Sequence, residues 1–435
     1  MKGKVALWPL IAAVYLMVSG GPFGLEDTVS QSGYLGAILI LLITPLVWAL
    51  PTALMVAELA SALPEDGGFY IWAKRSMGPF WGFQEAWLSL VGSVFDMALY
   101  PTLFVSYIEH FNPALTANGR GVWIGAGLIA ACALVNLAGA KAVGLSSFAF
   151  TALLLAPFAV LAIYAGFHPG PKAPAAAPHF DFLLGLLVAM WNYMGWDNSS
   201  TIADEVERPQ HTYPRAMAGA VSLVALTYVL PIAAVAATGL SASRWTTGGW
   251  ADVARAVMGG GIVTQLVALG ITAGGMMGAV GALNALTLSL SRLPAVLADD
   301  GYLPAIFARR HPKTGAPYVA IIACAFVWAL ALNLSFAKLV MLDVLLTGLS
   351  ILVEFASLVA LRIREPNLPR PYRVPGGLAG AIGIGVCPAV LLVLAVVRNK
   401  AEPVGPINAL QFGGILIAFG VVSYFLSTRF RSKTS

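Results

Sequence analysis

The sequence predicts an all-α membrane protein with twelve transmembrane helices, and three observations lead there. Of its 435 residues, 59% are hydrophobic and only 10% are charged, with a mean hydropathy of +0.82, whereas soluble domains carry roughly a quarter charged residues. Apolar blocks recur along the chain, most of them near the roughly 20 residues a helix needs to cross the hydrocarbon core. Two of those blocks, the first and the sixth, are interrupted by glycine-bearing stretches. A water-soluble globule is excluded.

The expected spans cover residues 5–29, 35–60, 80–108, 122–137, 144–167 and 182–202, then 214–238, 262–290, 318–335, 339–361, 378–397 and 407–426. In the first, Pro22 removes a backbone donor and Gly20, Gly21 and Gly24 weaken the helix, so residues 19–24 should unwind at membrane depth. Unwound backbone survives in a bilayer only where it lines a cavity or is buried in protein. The start Met1-Lys2-Gly3-Lys4 before an apolar run also fits a signal peptide cut near Val18-Ser19-Gly20. Cleavage would remove one of the two breaks, and nothing downstream resembles a secreted domain.

The second span carries Glu58 near its end. The third carries Glu85 near one end and Asp96 within it, with Tyr100 one helical turn further on. The fifth has no lysine in its middle to replace a sodium ion, while Ser146, Ser147, Thr151 and the stretch from Thr287 to Ser289 suit either proton or sodium coupling. The sixth repeats the first break as Trp191-Asn192-Tyr193-Met194-Gly195-Trp196-Asp197. The tenth carries Asp343 close to its outer end and Glu354 deep within it. Cys132, Cys324 and Cys387 fall inside separate apolar blocks, which suits small packing residues better than disulfides. His110, His168, His179, His211 and His311 all lie in loops, so neither a metal site nor any other cofactor is expected.

Lysine and arginine collect on the side of a membrane that is not translocated. With the amino terminus inside, only Arg120, Lys172, Arg244, Arg255, Lys338, Arg398 and Lys400 of the 25 basic residues fall outside. Both termini are therefore expected in the cytoplasm, as a multi-pass protein of the cytoplasmic (inner) membrane. The pI near 9.1 then reflects this asymmetry and apposition to anionic lipid, not nucleic-acid binding.

The intramembrane acids carry the chemistry. A carboxylate there costs a few kcal/mol on insertion scales, so it faces a cavity, a partner or a proton path. No lysine or arginine falls well inside a span to neutralise Glu26, Asp27, Asp96, Asp197 and Glu354. Protonation, or a cationic substrate, must do so. Asp27 also fits an electrostatic cap on the second half of the first helix, Asp96 a hydrogen-bonded pair with Tyr100, and Trp191 and Trp196 packing or interfacial aromatics. Glu58, Glu85 and Asp343 read as helix-packing or gating residues near the headgroups, outside any binding site. Paired breaks in the first helix of two five-helix halves point to an inverted-repeat carrier with a midplane site. A channel would be expected to repeat a filter around a symmetric oligomer. An enzyme would need a nucleophile with its base or metal ligands, and the spans supply neither.

The run from Val18 to Asp27 (Val-Ser-Gly-Gly-Pro-Phe-Gly-Leu-Glu-Asp) resembles the first-helix signature of the polyamine:proton symporters within the amino acid/polyamine/organocation superfamily. Similar to that group as well are Ala57-Glu-Leu-Ala60 with Pro64-Glu-Asp-Gly-Gly68, Gly78 to Glu85, Asp96-Met-Ala-Leu-Tyr-Pro101, and Trp191-Asn192 through Trp196-Asp197. Ser291-Arg292, Asp300-Gly-Tyr-Leu-Pro304 and Arg370-Pro-Tyr-Arg-Val-Pro375 resemble cytoplasmic motifs of the whole superfamily. The likeness runs from about Leu7 to Pro375; the last two helices match in hydropathy alone.

The resemblance implies a leucine-transporter-type fold. Residues 1–167 would form a first inverted repeat of helices 1–5, residues 182–362 a second of helices 6–10, and residues 376–428 two added helices, all in one membrane domain. It implies a substrate site of Ser19, Gly20, Gly21, Phe23, Gly24 and Glu26, with Asp96 and Tyr100, and with Trp191, Asn192, Trp196 and Asp197. Acids would take ammonium groups and indole faces the methylene chain. Glu26, Asp96, Asp197 and Glu354 are the proton-coupling candidates, with Glu26 expected as the principal ammonium partner. The expected activity is import of a cationic amine, a polyamine or basic amino acid, with protons, by a monomer or homodimer in the bilayer. A glycine-rich break can also hold a substrate carboxylate, so a neutral amino acid symporter or exchanger is the alternative.

Overall fold

The computed structural model describes residues 6–63, 67–138, 147–171, 182–200, 206–399, 403–404 and 406–431. Glu65, Asp66, Lys141, Ser146, Lys172 and His179 lie outside the described residues, as do the ends of the expected fifth and sixth spans.

Helix α1, Leu7–Val18, stops where Ser19 turns extended, and seven residues pass without helix before α2, Glu26–Thr44, begins. This is the break expected from Gly20-Gly21-Pro22, and it leaves Glu26 and Asp27 in the first turn of α2. The run then departs from expectation. The chain is helical from Glu26 to Ala62 and changes direction at Gly33, whose φ of 62° and ψ of 174° lie outside the helical region. A π-helical turn, Pro45–Ala49, joins α2 to α3, Leu50–Ala62. Pro51 has no N–H to donate, which accounts for the local loss of the ordinary ladder.

Short α4, Gly68–Met77, precedes α5, Pro79–Phe111, a 33-residue helix that runs about 50 Å at 1.5 Å per residue. The single turn α6, Pro113–Thr116, leads to α7, Arg120–Ala138, then α8, Ser147–Phe167. Helix α9, Phe182–Asn192, ends in the second break: a turn at Tyr193, irregular backbone through Gly195 and Trp196, and a 3-10 turn over residues 197–200. Helix α10 is Pro209–Ala237, α11 Trp250–Met258, α12 Ile262–Leu290, α13 Leu293–Asp299 and α14 Tyr318–Leu330. Helix α15 is Phe336–Arg364, α16 Gly377–Asn399 and α17 Ala409–Arg431. A two-residue β pairing, Pro403–Val404 with Ile407–Asn408, bridges α16 and α17. Helix α11 had no counterpart among the expected spans: Trp250, Val253, Ala254 and Met258 are buried, while Asp252 and Arg255 carry its polar side.

Among the described residues, eight helical runs are long and apolar enough to cross a membrane, and Leu7–Val18, Leu154–Phe167 and Tyr318–Asn333 are shorter apolar helices. Helix α5 is the central post and packs most closely on α15 and α12, while α2 packs on α9. Ile382, Val386, Val390 and Val393 of α16 and Ile415, Phe419 and Val422 of α17 stay exposed. An apolar surface of that extent fits a lipid environment. The chain is a multi-pass membrane protein.

Ion pairs gather at the end of the bundle where α5 begins. Glu58 is gripped by Arg362, with Nε to Oε1 at 2.9 Å, and approached by Arg370 at 3.4 Å. Lys74 reaches Asp300 at 2.5 Å, and Arg75 holds Glu365 through bonds of 3.0 and 2.8 Å. At the opposite end His110 meets Asp252 at 2.6 Å. Reading Glu58 as a packing residue outside the binding site agrees with this placement.

Candidate functional site

The first break is held by its own side chains and by α11. The Ser19 hydroxyl accepts the Gly21 N–H at 3.2 Å, and the Pro22 carbonyl accepts the Trp250 indole N–H at 2.7 Å. Gly24 sits at φ 81° with the Trp191 ring 2.9 Å from where a Cβ would stand. The second break is pinned by carbonyl acceptance: Asn192 from Tyr228 at 2.9 Å, Tyr193 from Trp196 at 2.8 Å. Gly195 has φ 90°, and a Cβ there would lie 3.1 Å from the Met17 carbonyl. Each break therefore packs against the last helical turn before the other.

Between them lies a cavity with about 90 Å³ of room for water centres, several times what one water needs. Its walls are Gly20, Gly21 and Phe23 from the first break, Asp96 and Tyr100 of α5, and Trp191, Asn192, Gly195 and Asp197 around the second break. Gly275 and Gly278 of α12 and Asp343 and Thr347 of α15 complete it. Three carboxylates face this space, and among the described residues no lysine, arginine or histidine lines it. Asp96 accepts the Trp191 indole N–H at 3.1 Å and, weakly, the Tyr100 hydroxyl at 3.5 Å. Asp343 accepts the Thr347 hydroxyl at 2.7 Å. Asp197 keeps Oδ1 buried without a partner among the described residues.

The structure brings together Gly20, Gly21, Phe23, Asp96, Tyr100, Trp191, Asn192 and Asp197 of the expected site. Ser19 and Gly24 lie directly behind this lining, one bonding the break and one cradling Trp191. Trp196 does not line the cavity; it is fully buried and closes the second break. Glu26 does not line it either: it is fully buried, and Oε1 accepts the Tyr107 hydroxyl at 3.1 Å. Its expected part as principal ammonium partner is not matched by this placement, because Oε1 is taken by Tyr107 and Glu26 is not on the cavity wall. Asp27 is bonded by Thr247 at 2.8 Å, away from the cavity. Glu354 is buried outside it.

Asp343 is a correction. Placed near the headgroups from sequence, it lines the cavity with Thr347 one turn on. The available signal was an intramembrane acid with a hydroxyl at i+4; its depth depended on how α15 packs.

Toward the His110 end, aromatic rings close the cavity. Phe23 meets Phe158 at 5.1 Å, Phe158 meets Trp250 at 5.0 Å, and Trp250 meets Trp245 at 4.6 Å. Toward the end carrying Lys74, the lining continues to Ser89, Leu286 and Leu290.

Residues 11–419 match the family model described as amino acid permease. The chain belongs to the amino acid permease family. This permease is 34% identical to polyamine transporter PUT1 of Oryza sativa subsp. japonica over 95% of its own length and 77% of the relative's. It is 36% identical to a probable polyamine transporter of Arabidopsis thaliana, over 99% and 88%, and 33% identical to polyamine transporter RMV1 of the same plant, over 95% and 84%. The resemblance read from the broken-helix motifs is borne out, and the permease is a transporter of that superfamily, not an enzyme.

Proposed function

We propose that this permease imports a small organic cation, a polyamine or a basic amino acid, together with protons by alternating access. The observation that carries the reading is a cavity lined by Asp96, Asp197 and Asp343 with no basic side chain on its wall among the described residues. Buried carboxylates without a countercharge are costly, and ammonium groups would supply that charge through strong hydrogen bonds. Trp191 and Tyr100 offer ring faces to the methylene chain and to its charge. The plant relatives' names point to the same substrate class.

The finer architecture belongs to the same proposal: twelve spans, two inverted five-helix repeats meeting at the breaks, both termini in the cytoplasm of an inner membrane, acting as a monomer or homodimer. Closed aromatic packing at the His110 end and a lining that extends toward the Lys74 end suit an inward-leaning state. Glu26, Asp96, Asp197 and Glu354 are the proton-carrying candidates.

Neutral amino acid transport is the second reading, favoured by the unwound backbone of Gly20 and Gly21 on the cavity wall, where an amide turned from its present partner would take a carboxylate. Proteoliposomes given putrescine, spermidine, arginine and alanine under an imposed inward proton gradient decide between them. Saturable, gradient-dependent uptake of the cations supports the proposal; uptake of alanine alone overturns it.

A further inference from the structure

Below the cavity, α5 and α15 bury a second pair of acids that the substrate site does not use. Glu85 is fully buried and Glu354 is 1% exposed. Glu85 Oε1 accepts hydroxyls from Ser350 and, at 3.4 Å, from Ser89, and these two serines contact each other at 2.9 Å across the helix crossing. Glu354 follows Ser350, the residue that bonds Glu85, by one turn on the same side of α15. Neither oxygen of Glu354, nor Oε2 of Glu85, has a hydrogen-bond partner among the described residues.

Three partnerless carboxylate oxygens in a low-dielectric helix interface demand a countercharge or a proton. The charged groups on surrounding elements are otherwise engaged. Glu58 on α3 is bound by Arg362 and Arg370, and Lys74 and Arg75 on α4 are bound by Asp300 and Glu365. Helices α16 and α17 carry charge only in their terminal turns. On the cavity side the facing groups are Asp197 and, further along α15, Asp343, both acids.

We propose that Glu85 and Glu354 share one exchangeable proton and form the coupling-ion site, separate from the substrate carboxylates. Two hydroxyl donors favour charge on Glu85, so the proton resides on Glu354. A metal cation has less support, because among the described residues no group of three or more His, Cys, Asp or Glu is placed to hold one. Ser89 links the two sites, since it lines the cavity floor and also bonds Glu85. The inference rests on the proton-coupled reading above.

The test uses full-length protein in sodium-free proteoliposomes, with putrescine accumulation driven by an inward proton gradient and putrescine counterflow measured in the same vesicles. Glu354→Gln is expected to lose gradient-driven accumulation while keeping counterflow at wild-type half-saturation, and Glu85→Gln to do the same. Gradient-driven accumulation by Glu354→Gln equal to wild type overturns the site. Wild-type accumulation indifferent to the proton gradient, or needing sodium, overturns proton coupling itself. Should Glu354→Gln fail in counterflow as well, Glu354→Asp is compared with wild type by infrared difference spectroscopy at neutral pH. A protonated-carboxyl band that shifts supports the proposal, and its absence from the wild type sinks it.

Discussion

The Trp191 indole donates to the Asp96 carboxylate across 3.1 Å, joining α9 and α5 through residues 95 apart in sequence. The bond orients the acid, while the indole also packs edge-on against Phe336 at 5.7 Å and beside Tyr100 at 6.2 Å. Asp96→Asn keeps the shape and removes the charge. A hydrogen bond to a charged group contributes about 1.5–3 kcal/mol, so putrescine half-saturation should rise about tenfold to a hundredfold. Trp191→Phe keeps a ring but not the donor and should fall between Asp96→Asn and wild type. Transport assays with both variants check this order.

What was legible before the fold, and what was not, follows from the range of the forces involved. Pro22 without its donor and Gly195 at positive φ act within their own turn, so both breaks could be read from local chemistry. Asp96, Tyr100, Trp191 and Asp197 could be read because polar groups beside unwound backbone have few other uses at that depth. Asp343 and Glu26 exchanged roles for a non-local reason. The packing of α15 on α5 brings Asp343 to the cavity, and Tyr107, about six turns beyond Glu85 on α5, takes Glu26 away from it. The turn at Gly33 also lies beyond local signals, since Glu26–Ala62 is helical on both sides of it.

Gly24 should tolerate no side chain. A Cβ there lies 2.9 Å from Trp191 Cζ3 on backbone at φ 81°, where an L residue costs about 1–2 kcal/mol before any clash. Gly24→Ala is expected to tilt Trp191 off Asp96 and abolish uptake while leaving the protein in the membrane. Gly166→Ala, at a helical position with nothing within 4 Å, should transport normally and melt up to about 1 kcal/mol higher. Equal loss in both would point to general intolerance of added methyls.

Glu58→Gln should be far more damaging to stability than loss of any exposed pair. Its carboxylate faces Arg362 and Arg370, all three side chains at most 4% exposed, so the change leaves two buried guanidinium groups with backbone carbonyl acceptors but no countercharge from Glu58. Breaking a buried pair from one side costs about 3–5 kcal/mol. Arg310→Ala, which removes the exposed Arg310–Asp299 contact, should cost no more than about 1 kcal/mol. Thermal unfolding in detergent, read by retained monodisperse protein, ranks the two.

The Arg75–Glu365 pair predicts a pH dependence that transport should not share. The Arg75 guanidinium holds the Glu365 carboxyl below its ordinary range. A carboxyl depressed by folding adds stability above its unfolded pKa, about 4.3, and loses that contribution as pH falls through the folded value. The pair is exposed, at 38% and 33%, so the contribution is at most about 1 kcal/mol. Glu365→Gln should therefore melt slightly below wild type by the same margin at pH 5 and pH 8, and converge on it only as pH falls through the lowered folded-state pKa. A gap that opens between pH 5 and 8 would contradict this assignment.

Asp343 should set the preference for substrates with more than one positive charge. With Asp96 and Asp197 it makes the third carboxylate on the wall, and it alone comes from α15. A single ammonium can be satisfied by the acids near the second break, whereas a diamine has a second charge that needs its own acceptor. Asp343→Asn is therefore expected to weaken putrescine by about tenfold or more, the scale of one charged hydrogen bond, and to weaken butylamine little when each competes against labelled putrescine. Thr347→Val, which removes the 2.7 Å donor to Asp343, should shift the same ratio in the same direction by less. If both amines weakened by one common factor, Asp343 would be acting on the cavity's total charge and not on a second ammonium group.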